Sequence, residues 1–116
     1  IENFEFILDT HVNIDKYVNQ GIDLVMYNLG YLPGGDKSIT TKAIDVVESL
    51  SKVLNQLNPR GLIYITLYPG HEPGKKEIEV IEEYLTKLNQ KEFSVLSQKF
   101  LNQKNNPPYV IMVEKY

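Results

Sequence analysis

The chain has 116 residues, 42% of them hydrophobic and 23% charged, a composition that fits one globular domain with a buried core. The absence of cysteine excludes disulfides and thiolate chemistry, and with only two histidines, His11 and His71, no metal site is expected. A net charge of -3 argues against a uniformly basic nucleic-acid coat but permits a local basic patch. No run reaches the roughly 20 apolar residues of a membrane span, so the chain reads as a soluble cytoplasmic protein with no membrane partner.

The chain opens at Ile1-Glu2-Asn3-Phe4, without an initiator methionine, and runs at once into a strand-like stretch ending at Leu8, as though it starts inside a fold. A short helical stretch is expected from Ile14 to Asn19, broken by Gln20-Gly21. Ile22 to Tyr27 is a near-continuous apolar run, which suits a strand buried on both faces in a parallel sheet. Residues 30 to 38, with three glycines and a proline, read as a loop. From an N-cap at Thr40 or Thr41, apolar residues at Ile44, Val47, Leu50, Leu54 and Leu57 predict an amphipathic helix, ended by Asn58-Pro59-Arg60-Gly61.

Leu62 to Tyr68 predicts a second buried strand, followed by the turn Pro69 to Gly74 and a helix carrying Ile78, Ile81, Leu85 and Leu88. Two strands, Phe93 to Leu101 and Tyr109 to Glu114, then follow without a helix between them, so an antiparallel hairpin is predicted. Alternation of strands and helices points to an α/β fold with right-handed crossovers. No repeat or second domain is visible, and residues 1–116 read as one domain.

In such sheets ligands bind where loops converge at the carboxyl ends of the parallel strands. Three loops qualify: Asp9-Thr10-His11, Asn28 to Lys37, and Pro69 to Gly74. Asn106-Pro107-Pro108-Tyr109 spells a motif common in enzymes that methylate nucleobase amines with S-adenosylmethionine, yet it precedes the last strand instead of ending a parallel one. Asn28-Leu29-Gly30-Tyr31 has the same shape at the expected place. There the Asn28 side-chain oxygen and a backbone carbonyl can accept an amine's N–H bonds and aim its lone pair, while the Tyr31 ring stacks on the base.

Three segments together carry a family resemblance: residues 28 to 41, Tyr68-Pro69-Gly70-His71, and Asn102 to Pro108. They resemble the "putative rRNA methylase" family, which includes the MnmM/YtqB-type tRNA methyltransferases. The resemblance implies a class I methyltransferase (Rossmann-like) sheet with a C-terminal antiparallel hairpin, S-adenosylmethionine as cofactor, tRNA as partner and methylation of the aminomethyl group on a modified wobble uridine. Asn28 and Tyr31 would then be catalytic. Asp9, His11, Asn28 and Leu29 would contact cofactor, and Gly30, Gly34, Gly35, Asp36, Lys37 and His71 would contact substrate. A homodimer is also expected.

The family's glycine-rich turn after its first strand, and the acidic strand end that follows, have no counterpart in the chain. In the class I strand order 3-2-1-4-5-7-6 the first two strands would be missing, as in the C-terminal portion of a longer domain. The same observation supports a different reading, a non-catalytic α/β binding or dimerisation module. A phosphate-binding role for Gly34-Gly35-Asp36-Lys37 ranks last because the spacing of a P-loop is absent. Each residue also has a plain structural role open to it: Asp9 can cap a turn, the glycines can supply positive dihedrals, and Lys37 can pair with Asp36.

Overall fold

The computed structural model of the protein describes residues 11–16, 21–29, 43–70 and 72–116. Within them, β1 (Ile22–Leu29), β2 (Leu57–Leu67), β3 (Phe93–Gln98) and β4 (Tyr109–Lys115) form one sheet in the order β1-β2-β4-β3. β1 and β2 are parallel, whereas β4 runs antiparallel to both β2 and β3. This is the 4-5-7-6 half of the order expected from the sequence, including its terminal hairpin. The predicted strand before Leu8 lies outside the described residues.

Strand alternation divides the sheet into two unlike sides. Tyr27 and Leu29 of β1, Ile63, Ile65 and Leu67 of β2, and Tyr109, Ile111 and Val113 of β4 are all buried. They meet the helices α1 (Ala43–Gln56) and α2 (Glu72–Thr86) in one core. On the other side Leu24 and Met26 are 54% and 70% exposed, so β1 is not covered on both sides among the described residues, contrary to the reading of its apolar run. That run arises because both sides carry apolar residues, not because both are sealed here.

The apolar stripe of α1 also differs from the predicted one. Val46, Leu50, Val53 and Leu54 are buried while Ile44 is 72% exposed, on the far side of the helix. Ser49 hides the true stripe in the sequence, because a polar residue occupies its middle. Its hydroxyl is fully buried and hydrogen-bonded to the Tyr27 hydroxyl at 2.7 Å. Burial raises the Tyr27 pKa, an effect the bond to Ser49 partly offsets. Ser49→Ala is expected to cost about 1 kcal/mol, the net value of one buried hydrogen bond. In a urea-unfolding cycle with Tyr27→Phe the two costs should couple by about 0.5–3 kcal/mol; strictly additive costs would show that the bond contributes nothing.

Leu57, predicted to close α1, instead opens β2. It pairs with Ile22, and the register then jumps so that Leu62 pairs with Leu24. The residues between, Asn58 to Gly61, bulge out, with Arg60 at a positive φ of 68°. Gly61 is required there, since a Cβ would lie 2.7 Å from the Leu57 side chain and 2.8 Å from the Asn58 carbonyl oxygen. The "helix stop" of the sequence is thus an irregularity inside a strand.

Two further boundaries shift. The predicted helix from Ile14 is a 3-10 helix over His11–Lys16, kinked at Asn13. Lys52 of α1 holds it through an ion pair with Asp15 at 3.2 Å. α2 starts at Glu72, so Pro73 falls within its first turn, where a missing N–H costs nothing, and Leu88 lies beyond its end. The predicted N-caps Thr40 and Thr41 lie outside the described residues. The first α1 amide, that of Ala43, donates to the Glu77 carboxylate of α2, and this bond joins the two helices at the end where their positive dipole termini gather.

Candidate functional site

Strand register places the candidate residues at one end of the sheet. The last pairs bring Leu29, Leu67 and Tyr109 into one row, and all three close the core. On the opposite side the neighbouring row is Asn28, Thr66, Val110 and Gln98. Asn28 is exposed there, at the carboxyl end of β1. A short polar side chain at the rim of a sheet is free to accept hydrogen bonds from a ligand lying across the strand ends.

Leu29 follows with its side chain 4% exposed, which leaves its backbone as the part a ligand can reach. His11 is the first residue of the 3-10 helix. The His11 side chain, together with Asp9, Gly30, Tyr31, Gly34, Gly35, Asp36, Lys37 and His71, lies outside the described residues. A cavity of about 280 Å³ runs along β1 between the 3-10 helix and α1, lined by Ile14, Val25, Met26, Tyr27, Asn28 and Ser49 among others. It gives Asn28 a recess on the strand's outer edge. Among the described residues no cluster of His, Asp or Glu could hold a metal ion.

The literal motif is built differently. Tyr109 is 9% exposed, its hydroxyl donates to the Glu82 carboxylate of α2, and the Lys99 ammonium sits 4.5 Å from its ring centroid. Burial above all, then the bond to Glu82 and the charge of that carboxylate, raises the Tyr109 pKa far above the usual tyrosine value. This ring pins α2 to β4, and at 9% exposure it leaves little surface on which to stack a base. Asn106 takes a positive φ of 51° and serves the turn before β4.

Because β4 is antiparallel, however, the loop between β3 and β4 returns to the same sheet end as Asn28. It shares a second cavity, of about 350 Å³, with the loop after β2 and the first turns of α2. Pro69, Lys75, Ile78, Phe100, Asn106 and Pro107 contribute to its walls. Phe100 is not legible as a cavity residue from the sequence, because its apolar character extends β3 to Leu101, whereas β3 ends at Gln98. The available signal was charge: no acidic residue occurs between Glu92 and Glu114.

A parallel strand pair extended by an antiparallel hairpin, with helices crossing one side and polar residues gathered at the strand ends, is the C-terminal architecture of a class I methyltransferase sheet. The model of the "Putative rRNA methylase" family matches residues 1–114, and the chain belongs to that family. It is 40% identical to a "putative rRNA-methylase" of Clostridium thermocellum, with a TM-score of 0.92 over 97% of this chain and 60% of that one. A "putative methyltransferase" of Streptococcus mutans, solved in complex with SAH, is 34% identical, with a TM-score of 0.90 over 100% of this chain and 63% of that one. The chain is also 35% identical over 97 residues to the chloroplastic tRNA (mnm(5)s(2)U34)-methyltransferase of Arabidopsis thaliana, covering 84% of this chain and 35% of that protein. The chain therefore spans about a third of this curated relative and about three fifths of the solved ones.

Proposed function

We propose that the protein is an S-adenosylmethionine-dependent RNA methyltransferase acting on the aminomethyl group of a modified tRNA wobble uridine. The observation that carries this reading is Asn28, exposed at the carboxyl end of β1 in a chain of this family. The Arabidopsis relative is named for that tRNA position, and the Streptococcus relative holds SAH, the demethylated cofactor.

The cofactor, when bound, supplies a methyl group on a sulfonium. The amine nitrogen forms the new N–C bond as the C–S bond breaks in line with it, and the surplus N–H proton passes to water. Asn28 contributes aim: its side-chain oxygen accepts one N–H and keeps the lone pair on the methyl carbon. Tyr31 stacks on the base, Asp9, His11 and the Leu29 backbone hold the cofactor, and the Gly30 to Lys37 loop with His71 contacts the RNA. The outer edge of β3, unpaired among the described residues, where Val95 and Leu96 are 40% and 47% exposed, is an edge that would suit a homodimer. None of the described helices is long and apolar enough to cross a membrane, in keeping with a cytoplasmic enzyme.

The test uses the full-length protein, S-adenosylmethionine and tRNA carrying aminomethyl-uridine at the wobble position. Nucleoside mass spectrometry should show one added methyl group on that base. Unchanged tRNA from a protein that binds the cofactor would overturn the substrate, and a protein that ignores the cofactor would overturn the class.

A further inference from the structure

The β3–β4 loop, residues 99–108, is longer than a hairpin requires, since turns of two to five residues suffice. It is also unusually composed. It contains Lys99 and Lys104, four side-chain amides at Asn102, Gln103, Asn105 and Asn106, and no carboxylate, in a chain whose net charge is -3. Phe100 is 66% exposed and Leu101 101% exposed, so neither contributes to the core. Positive φ values of 67° and 51° at Asn105 and Asn106 turn the loop sharply ahead of Pro107. Pro107 and Phe100 both line the 350 Å³ cavity, as do Lys75 and Lys99, with Glu79 the one carboxylate among its lining residues.

An aromatic ring without a structural role, ammonium groups beside it and amides around it form the set that recognises an unstacked nucleotide. The ring and proline offer a flat apolar surface to a base, the lysines match its phosphate, and the amides can reach base edges. The cavity lies at the same sheet end as Asn28, walled by the ends of β2, β4 and β3, which stand one to three strands across from β1. We infer that this loop and the start of α2 bind a second, unmodified nucleotide of the RNA strand that flanks the methylated one. The inference rests on the RNA methyltransferase reading for its partner, but not on the roles of Asn28 or Tyr31.

The experiment measures binding of the full-length protein to a fluorescent single-stranded RNA oligonucleotide of anticodon-loop length, across a salt series. Phe100→Ala should weaken binding roughly tenfold, and Phe100→Tyr, which keeps a ring, should restore most of it. Lys99→Gln should lower the slope of log affinity against log salt by about 0.7, the share of one phosphate contact on a single strand. Cofactor affinity and Tm should stay at the wild-type values in the Phe100 variants.

Unchanged RNA affinity in Phe100→Ala overturns the inference, as does failure of the wild-type protein to bind the oligonucleotide. A changed sedimentation coefficient with unchanged RNA affinity would instead make Phe100 part of a contact between copies, and overturns it equally. Methyl transfer by the wild-type protein is scored separately. Intact transfer with an indifferent Phe100 sinks only the second-nucleotide site, whereas absent transfer sinks the enzyme reading.

Discussion

Asn28→Ala in the full-length protein is expected to lower the single-turnover rate of methyl transfer on the order of 100-fold while leaving cofactor affinity within a few-fold of wild type. The magnitude follows from the role. Displacement at a methyl carbon needs no charge stabilised on the protein, only a nitrogen lone pair held in line, and misdirecting it removes the near-attack geometry. Asn28 is exposed at the strand end, so truncating it opens no core cavity and should leave Tm nearly unchanged. Asn28→Asp keeps an accepting oxygen and should recover part of the lost rate, which separates hydrogen-bond acceptance from mere bulk. Wild-type turnover in Asn28→Ala would remove the residue from the mechanism.

The placement of Asn28 at a strand end is easy to read from the sequence and that of Phe100 beyond one is hard, for the same physical reason. Asn28 follows the apolar run Leu24 to Tyr27, and a polar residue after such a run marks a strand end, where ligands gather in α/β sheets. Phe100 and Leu101 follow the β-prone Phe93 to Gln98 segment and add two more apolar letters, so pattern alone extends the strand through them. Only pairing geometry stops β3 at Gln98. Leu57 misled in the opposite direction, because its spacing from Leu50 and Leu54 continues a helical stripe while its backbone pairs with Ile22. Periodicity registers which residues are apolar, but at a junction it cannot register which element's hydrogen bonds they join.

Ser49 shows a further limit. A serine in the middle of an apolar stripe reads as a break, and the stripe therefore seemed to pass through Ile44 and Val47. Its partner, Tyr27, lies 22 residues away on β1. A buried polar pair becomes legible only when both members are brought together, so no local window could identify it. The parallel pair and the terminal hairpin were legible for the converse reason, since alternating strands and helices and a helix-free final pair leave few local topologies, whereas the order of the strands was implied by the family resemblance.

Ile65→Ala should produce the largest loss of stability of any single change considered for this chain, about 2–5 kcal/mol. Ile65 is 0% exposed and stands at the middle of β2, between Tyr27 of β1 and Ile111 of β4, both buried. Three strands and the two helices meet there, so the surroundings cannot collapse into the space left behind, and the cavity cost adds to the lost transfer energy. Set against a typical total of about 5–15 kcal/mol, the change removes a large fraction of stability and should lower Tm by roughly 10 °C or more.

Ile65→Val, which deletes a single methylene, should cost only about 0.5–1.5 kcal/mol. Because Ile65 points away from the row of Asn28 and Thr66, the methyl-transfer rate per folded molecule, measured well below the new midpoint, should remain near wild type. This separates Ile65 from Asn28 in opposite directions, one change lowering stability without rate and the other rate without stability. Urea unfolding of the full-length protein followed by transfer assays at low temperature checks both halves. A midpoint for Ile65→Ala indistinguishable from wild type would mean that β2 is not the centre of the core, and the row that positions Asn28 would lose its support with it.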